Sequence, residues 1–241
     1  MIRPPDLTTT CPMTIAAILF DLDGTLANTD PIHFLTWQEL LKTYDLEIDR
    51  EFYQKQMSGR LNPAIVADLL PHLSPEQAAR VADEKEAQFR QFAAQLQPMP
   101  GLTDLLAWAG DRALKCAVVT NAPRENVRFM LDILHLSDRF APVTIAEDLP
   151  AGKPDPLPYQ QTLQQLGLSP QEAIAFEDSP SGIRSATAAG IYTIGVASTH
   201  DPETLRAIGA SQTIADFTAP HLWDDLEAIA PDPREKTRSV S

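Results

Sequence analysis

The sequence predicts an α/β fold: a doubly wound parallel sheet carrying an inserted all-helical cap domain. Three observations predict it. Short apolar runs recur along the chain, each closed by polar turn residues. Helical stretches with one apolar face alternate with them, and one long segment near the N-terminus breaks the alternation. Strand–helix alternation is the pattern of parallel sheets covered on both faces.

Residues 15–20 (IAAILF) form the first run. Residues 115–120 (KCAVVT), 141–146 (APVTIA), 173–177 (AIAFE), 191–196 (IYTIGV) and 212–215 (QTIA) repeat the design. Each is too short for a buried helix and reads as a buried parallel strand. Between them, residues 100–110 place Leu102, Leu105, Leu106 and Ala109 on one helical face. Residues 124–134 do the same with Val127, Met130, Leu131 and Leu134, and helices over 159–166 and 182–189 follow. From residue 31 to 98 no strand is expected. Asp30-Pro31 reads as an N-cap followed by proline at the first helical position. Phe34, Trp37, Leu40, Leu41 and Tyr44 then share one face. Ser74-Pro75-Glu76-Gln77 is a capping-box start, and Val81, Phe89, Phe92 and Leu96 form the stripe of a long helix. The expected division is a core over residues 14–30 and 99–230, a cap over 31–98, and disordered tails over 1–13 and 231–241. Met13 is an alternative start. An insert after the first strand lies over the carboxyl ends of the strands, where open α/β sheets bind ligands, and is expected to act as a lid.

Composition narrows the function. Of 241 residues, 44% are hydrophobic and 22% charged, an ordinary globular balance that argues against disorder. No apolar run approaches the roughly 20 residues a membrane helix needs, and residues 1–13 carry no apolar signal segment, so a cytoplasmic protein is expected. Cys11 and Cys116 make a poor disulfide framework or metal site and read as unpaired thiols. The net charge of −14, with no basic stripe, excludes nucleic acid as a partner. It also repels phosphates at long range, so a phosphate site has to be built locally.

Four polar clusters fall at the carboxyl ends of the predicted strands, along one edge of the sheet. Asp21 and Asp23 are separated by one residue at the first tip, and Gly24 permits the turn that brings both to one crevice. One carboxylate can attack while the other moves a proton; a plain Asp/Gly turn is the alternative. Thr120 and Asn121 can hydrogen-bond a phosphoryl oxygen or cap the next helix. Lys153, held between Gly152 and Pro154, is a point charge for an anion or a solvated surface lysine. Glu177 and Asp178 are adjacent acids at the end of a buried run, hard to explain by packing; with Asp21 they offer hard oxygen ligands suited to Mg²⁺.

Asp21-Leu22-Asp23-Gly24-Thr25, Thr120, Lys153 and Glu177-Asp178 together resemble, in order, the motifs of the haloacid dehalogenase-like superfamily, over about residues 16–228. The resemblance implies Asp21 as nucleophile, Asp23 as general acid/base, and Thr120 and Lys153 as phosphoryl ligands. It implies Mg²⁺ held by Asp21, the Asp23 carbonyl, Glu177 and Asp178. The second carboxylate, Asp23, sets the chain apart from the dehalogenases of that superfamily, whose halide leaving group needs no proton.

The cap carries further candidates. Lys85 interrupts the apolar stripe, and either snorkels along the helix boundary or reaches the crevice. His33, one turn before Trp37, is a core histidine or points under the cap. Arg60, after Gly59, is a surface arginine or meets an anionic substrate. The cap resembles that of β-phosphoglucomutase-like proteins, where a His and a Lys in similar places touch substrate. The segments 83–87, 120–126 and 176–179 are similar to those of plant phosphatases acting on glycerol phosphate and small sugar phosphates. The expectation is a monomeric, Mg²⁺-dependent phosphatase for small phosphorylated metabolites. A hexose-phosphate mutase of the same fold and a catalytically idle binding relative are the rivals.

Overall fold

A computed structural model of the chain describes residues 15–230. Both predicted tails, with Met13 and Cys11, lie outside the described residues. In chain order the elements are β1 (Ala17–Phe20), α1 (Asp30–Lys42), α2 (Arg50–Gln56), α3 (Asn62–Leu69), α4 (Pro75–Phe92), α5 (Leu102–Asp111), β2 (Lys115–Thr120), α6 (Arg124–Ile133) and β3 (Val143–Ile145). Then follow α7 (Leu157–Leu166), β4 (Ala173–Glu177), α8 (Pro180–Ala188), β5 (Tyr192–Val196), α9 (Pro202–Ala207), β6 (Gln212–Ile214) and α10 (Pro220–Ile229). Every predicted strand lies in one six-stranded sheet of order β3-β2-β1-β4-β5-β6, and every pairing is parallel. The chain leaves β1 toward β3 and later returns to β4 on the other side. This puts a topological switch at β1, where the flanking connections diverge and leave a crevice above the strand tips.

The strands have no polar face because both faces are covered. Ile18 and Phe20 of β1 point into one core with Val118, Ile174, Phe176 and Ile194, beneath α5, α6 and α10. Ala17 and Leu19 point into the other with Ala117, Val119, Ala173 and Ala175, against α7 and α8. Phe20 stacks on Phe176 at 5.5 Å between ring centroids, and Phe217 packs edge-on against both. That aromatic cluster fixes the tips of β1 and β4 side by side, directly below the residues of interest. The thiol of Cys116, on β2, is half-buried, and burial pushes its pKa up to about 11.

Between β1 and β2 the chain is helical, with its own apolar cluster that includes Trp37, Leu40, Leu41, Tyr53, Ile65, Val66 and Val81. Three details differ from expectation. First, α1 starts one residue early: Thr29 is its N-cap, and Asp30 instead accepts hydrogen bonds from the Tyr53 and Ser58 hydroxyls at 3.0 and 3.1 Å. Second, α2 and α3 lie between the two helices expected there. Third, Phe92 is exposed: α4 ends at it, so the buried face is Val81, Lys85, Glu86 and Phe89, and Leu96 lies beyond a 3₁₀ turn. The expected capping box at Ser74 and Gln77 is formed, with the Ser74 hydroxyl accepting from the Gln77 N–H and the Gln77 side chain accepting from the Ser74 N–H. Among the described residues no helix is long and apolar enough to cross a membrane.

Candidate active site

The strand tips converge. Asp21 follows the last residue of β1, and its N–H still donates to the Phe176 carbonyl of β4 at 3.0 Å. The chain then turns at Gly24, whose φ is +77° and whose N–H donates to the Ala27 carbonyl at 2.8 Å. A Cβ on Gly24 would lie 2.1 Å from Asp178 Oδ2, so only glycine lets the β1 loop pass this close to the β4 tip.

Lys153 sits at the centre of the acids. Its ammonium donates to Asp21 Oδ1 at 2.6 Å, to the Val119 carbonyl at 2.6 Å and to Glu177 Oε1 at 2.5 Å. All three donors of the ammonium are thereby used. Asn121 seats this lysine: its Oδ1 accepts from the Lys153 N–H at 2.9 Å, and its Nδ2 donates to the Lys153 carbonyl at 3.0 Å. Thr120 is buried, and its hydroxyl accepts from the Ala122 N–H at 2.9 Å. Tyr159 of α7, buried beneath the site, donates its hydroxyl to Glu177 Oε1 at 2.9 Å and lies under the Lys153 ammonium.

One ammonium cannot neutralise three carboxylates. Asp21, Glu177 and Asp178 are all buried, and one oxygen of each lies within 4.8 Å of the others. Burial pushes the Asp21 carboxyl up to about 8, against the pull of Lys153, and the Glu177 charge adds to the rise. Burial likewise raises Asp178 well above the carboxylate range, with Asp21 and Glu177 adding to it, while the Thr199 hydroxyl donates to its Oδ2 at 2.6 Å. Lys153 behaves oppositely: burial disfavours its charge, but Asp21 and Glu177 outweigh burial and hold its pKa above the ordinary value. Ionising all three carboxylates beside one ammonium would leave two excess negative charges, a state that burial disfavours. A hard divalent cation fits both that charge and an all-oxygen donor set.

The cap completes the crevice. His33 of α1 faces Asp23 Oδ1 through Nε2 at 3.3 Å and Lys85 Nζ through Nδ1 at 2.8 Å, and stacks on Phe89 at 4.2 Å between ring centroids. Burial works to raise the Asp23 pKa, but hydrogen bonding and charge from His33 hold it below the usual range. Lys85 is buried, so burial lowers its pKa, against the attraction of Glu86, whose Oε1 it contacts at 2.8 Å. Glu86 in turn accepts short hydrogen bonds from Asn62 Nδ2 on α3 and Asn126 Nδ2 on α6. These side chains, with Asp21, Thr120 and Lys153, line one cavity of about 440 Å³, a volume suited to a small ligand.

The structure thus brings Asp21, Asp23, Gly24, His33, Lys85, Thr120, Asn121, Lys153 and Asp178 to one cavity, with Glu177 buried behind Lys153. Arg60 also lines the cavity, where it pairs with Asp68 at 2.5 Å and donates to the Gln56 carbonyl at 2.7 Å. Asn121 differs from expectation: both ends of its amide serve the Lys153 backbone. Sequence reasoning did not single out Tyr159, Thr199, Glu86, Asn62 or Asn126. Glu86 had a usable signal, an acid next to a lysine on a buried stripe; the others had none.

Residues 18–196 match the family model of the haloacid dehalogenase-like hydrolases. The chain is 33% identical over 193 residues to a validoxylamine A 7'-phosphate phosphatase from Streptomyces hygroscopicus, spanning 78% of this chain and 88% of that one. It is 30% identical over 204 residues to a phosphorylated carbohydrates phosphatase from Thermotoga maritima, spanning 80% and 91%. The crystal structure of a family IA HAD hydrolase from Entamoeba histolytica superposes with a TM-score of 0.81 at 27% identity, covering 89% of this chain and 99% of that one.

Proposed function

Because this chain belongs to the haloacid dehalogenase-like hydrolase family, we propose that it hydrolyses phosphomonoesters of small sugars and polyols, glycerol phosphate among them, through an aspartyl-phosphate on Asp21. The observation that carries the reading is the cluster of Asp21, Glu177 and Asp178 around one ammonium, opening into a cavity walled by the cap. The relatives' names support phosphorylated carbohydrates as the substrate class.

Asp21, Glu177 and Asp178, with the Asp23 carbonyl, are the oxygens assigned to Mg²⁺. Bound there, the ion supplies positive charge that offsets repulsion between a carboxylate and a phosphate dianion. The protein's own groups do the rest. Lys153 holds Asp21 in place and adds charge where the transition state develops it. Thr120 lies at the neighbouring strand tip and is assigned to the phosphoryl oxygens. In the first displacement an Asp21 oxygen bonds to phosphorus, the bond from phosphorus to the ester oxygen breaks, and Asp23 gives that oxygen a proton. In the second, Asp23 takes a proton from water, the water oxygen bonds to phosphorus, and the Asp21–phosphorus bond breaks, releasing phosphate. His33, in contact with Asp23, holds the ionised form needed for that second step, and the proton Asp23 takes from water is the one it gives in the next first step.

The test is phosphate release from a panel of small phosphomonoesters with Mg²⁺ and with EDTA, alongside Asp21→Asn. Release that requires Mg²⁺ and falls at least about a thousandfold in the variant is expected, since the nucleophile is lost. Conversion of β-glucose 1-phosphate to glucose 6-phosphate without phosphate release would replace the hydrolase by a mutase. Silence in both assays would leave an idle binding relative.

A further inference from the structure

Resting on the Mg²⁺ assignment within that reading, we infer that Thr199 and Ser198, in the loop after β5, are positioning residues of the metal site. They fasten Asp178 and the Asp23-Gly24 turn to one another, so the site's affinity for a divalent cation depends on their hydroxyls. The Thr199 hydroxyl lies 2.6 Å from Asp178 Oδ2, 2.9 Å from His200 Nδ1 and 3.1 Å from the Asp178 carbonyl. A hydroxyl has one proton to give. The shortest contact, to the buried carboxylate, takes it, and the Asp178 carbonyl is the longer alternative. His200 then donates from Nδ1 to the hydroxyl oxygen, which fixes the direction of the chain from His200 through Thr199 to Asp178. The preceding residue, Ser198, donates its hydroxyl to the Gly24 carbonyl at 2.5 Å. Two consecutive residues thus each hold one strand tip, Ser198 that of β1 and Thr199 that of β4.

The packing between those tips leaves no slack. A Cβ on Gly24 would lie 2.1 Å from Asp178 Oδ2 and 3.2 Å from Thr199 Cγ2, so the turn, the carboxylate and Thr199 meet at one point. The loop that supplies the hydroxyls is itself tied at both ends. The Ala197 N–H donates to the Ile214 carbonyl of β6 at 2.8 Å. Asp201 caps α9, accepting from the Glu203 and Thr204 N–H groups at 3.1 and 2.9 Å. A hydroxyl on such a loop can hold a carboxylate in one orientation, whereas a mobile one would follow it. An ionised carboxylate offers about four lone-pair sites, so the bond from Thr199 leaves Asp178 acceptors for an ion. Hydrogen bonds to the groups that ligate a metal orient them, and losing one typically weakens binding about 10–100-fold. Thr199 acts on a ligand directly. Ser198 acts at one remove, through the carbonyl of the residue that follows Asp23.

The experiment measures binding of Mn²⁺ alone to the full chain, by electron paramagnetic resonance of the free ion, with no substrate present. Wild type is compared with Thr199→Val, which keeps the shape and loses the hydroxyl, with Thr199→Ser, which keeps the hydroxyl, and with Ser198→Ala. Thr199→Val is expected to raise the Kd about tenfold or more. Thr199→Ser is expected to restore it to within about twofold of wild type, since the donor is back. Ser198→Ala is expected to raise it about three- to tenfold, the scale of one hydrogen bond. The Mg²⁺ concentration giving half-maximal phosphate release should rise in parallel. Wild-type affinity in Thr199→Val overturns the inference. Equal weakening in the valine and serine variants also overturns it, because packing and not the hydroxyl would then hold Asp178. If Thr199→Val does not fold, Ser198→Ala decides: wild-type affinity there overturns the brace. Mn²⁺ binding that follows the expected order without hydrolysis of any ester defeats the phosphatase reading and leaves this inference standing. No Mn²⁺ binding by wild type defeats the metal assignment and this inference with it.

Discussion

Gly182 shows how closely the site is packed around single residues. It lies in the first turn of α8, where an added Cβ would fall 1.9 Å from the Glu177 carboxyl carbon and both its oxygens. Gly182→Ala therefore has to push the Glu177 carboxylate off its place between Lys153 and Tyr159. The expected result is a loss of about 1–3 kcal/mol of stability from overpacking, read as a lower melting temperature. A fall in kcat beyond what the lost stability accounts for should accompany it, because Lys153 loses an anchor and Asp21 with it. An alanine variant with wild-type kcat would separate Glu177 from the working site. The neighbouring Tyr159 hydroxyl has a pKa held well above its usual value by burial and by the Glu177 and Asp21 charges. It is therefore a fixed hydrogen-bond donor at neutral pH and takes no part in proton transfer.

At the scale of elements, α4 is the member that turns a helical insert into part of the site. Its buried face carries Lys85, Glu86 and Phe89 beneath α1, and its start is fixed by the capping box at Ser74. Removing the hydroxyl leaves the Gln77 N–H without its cap, so Ser74→Ala is expected to cost about 1 kcal/mol, visible as a small drop in melting temperature or urea midpoint. Neither Ser74 nor Gln77 lines the cavity, so kcat should stay unchanged. The long elements were legible because their apolar spacing runs over several turns, and the strands because each is an unbroken apolar run closed by polar residues. The short helices α2 and α3 were not. Seven and eight residues hold too few turns for periodicity to register, although Asp49, which accepts from the Phe52 N–H at 2.7 Å, and Pro63 are local start signals.

Across the whole molecule, Glu86 joins cap to core. It accepts from Asn126 of α6, and Arg90 of α4 donates to Asn126 Oδ1 at 2.7 Å and pairs with Glu125 at 2.9 Å. Burial works to raise the Glu86 pKa, but Lys85, His33 and the Asn62 amide outweigh it, so the folded value lies below the ordinary 4.5. A carboxyl depressed on folding contributes stability above its unfolded pKa and loses it as pH falls through the folded value. Glu86→Gln is therefore expected to melt about 2–5 °C below wild type at pH 7. The gap should close progressively below about pH 4.5. A gap independent of pH would mean the charge plays no part in holding the cap.

The sequence by itself determined the alternation of strands and helices, the place of the helical insert, and which polar residues stand at the strand tips. Those features come from hydrophobic periodicity and turn chemistry, which act over a few residues. Only the tertiary structure decided which of those polar groups meet. Lys153 reaches Asp21 across 132 residues of chain, and Lys85 reaches His33 across 52. It also decided that the Asn121 amide serves the Lys153 backbone and that Glu86 faces the cavity. Such pairings depend on how sheet and cap pack, and on desolvation at their junction, where the strength of each charge is set by what surrounds it and not by its neighbours in the chain.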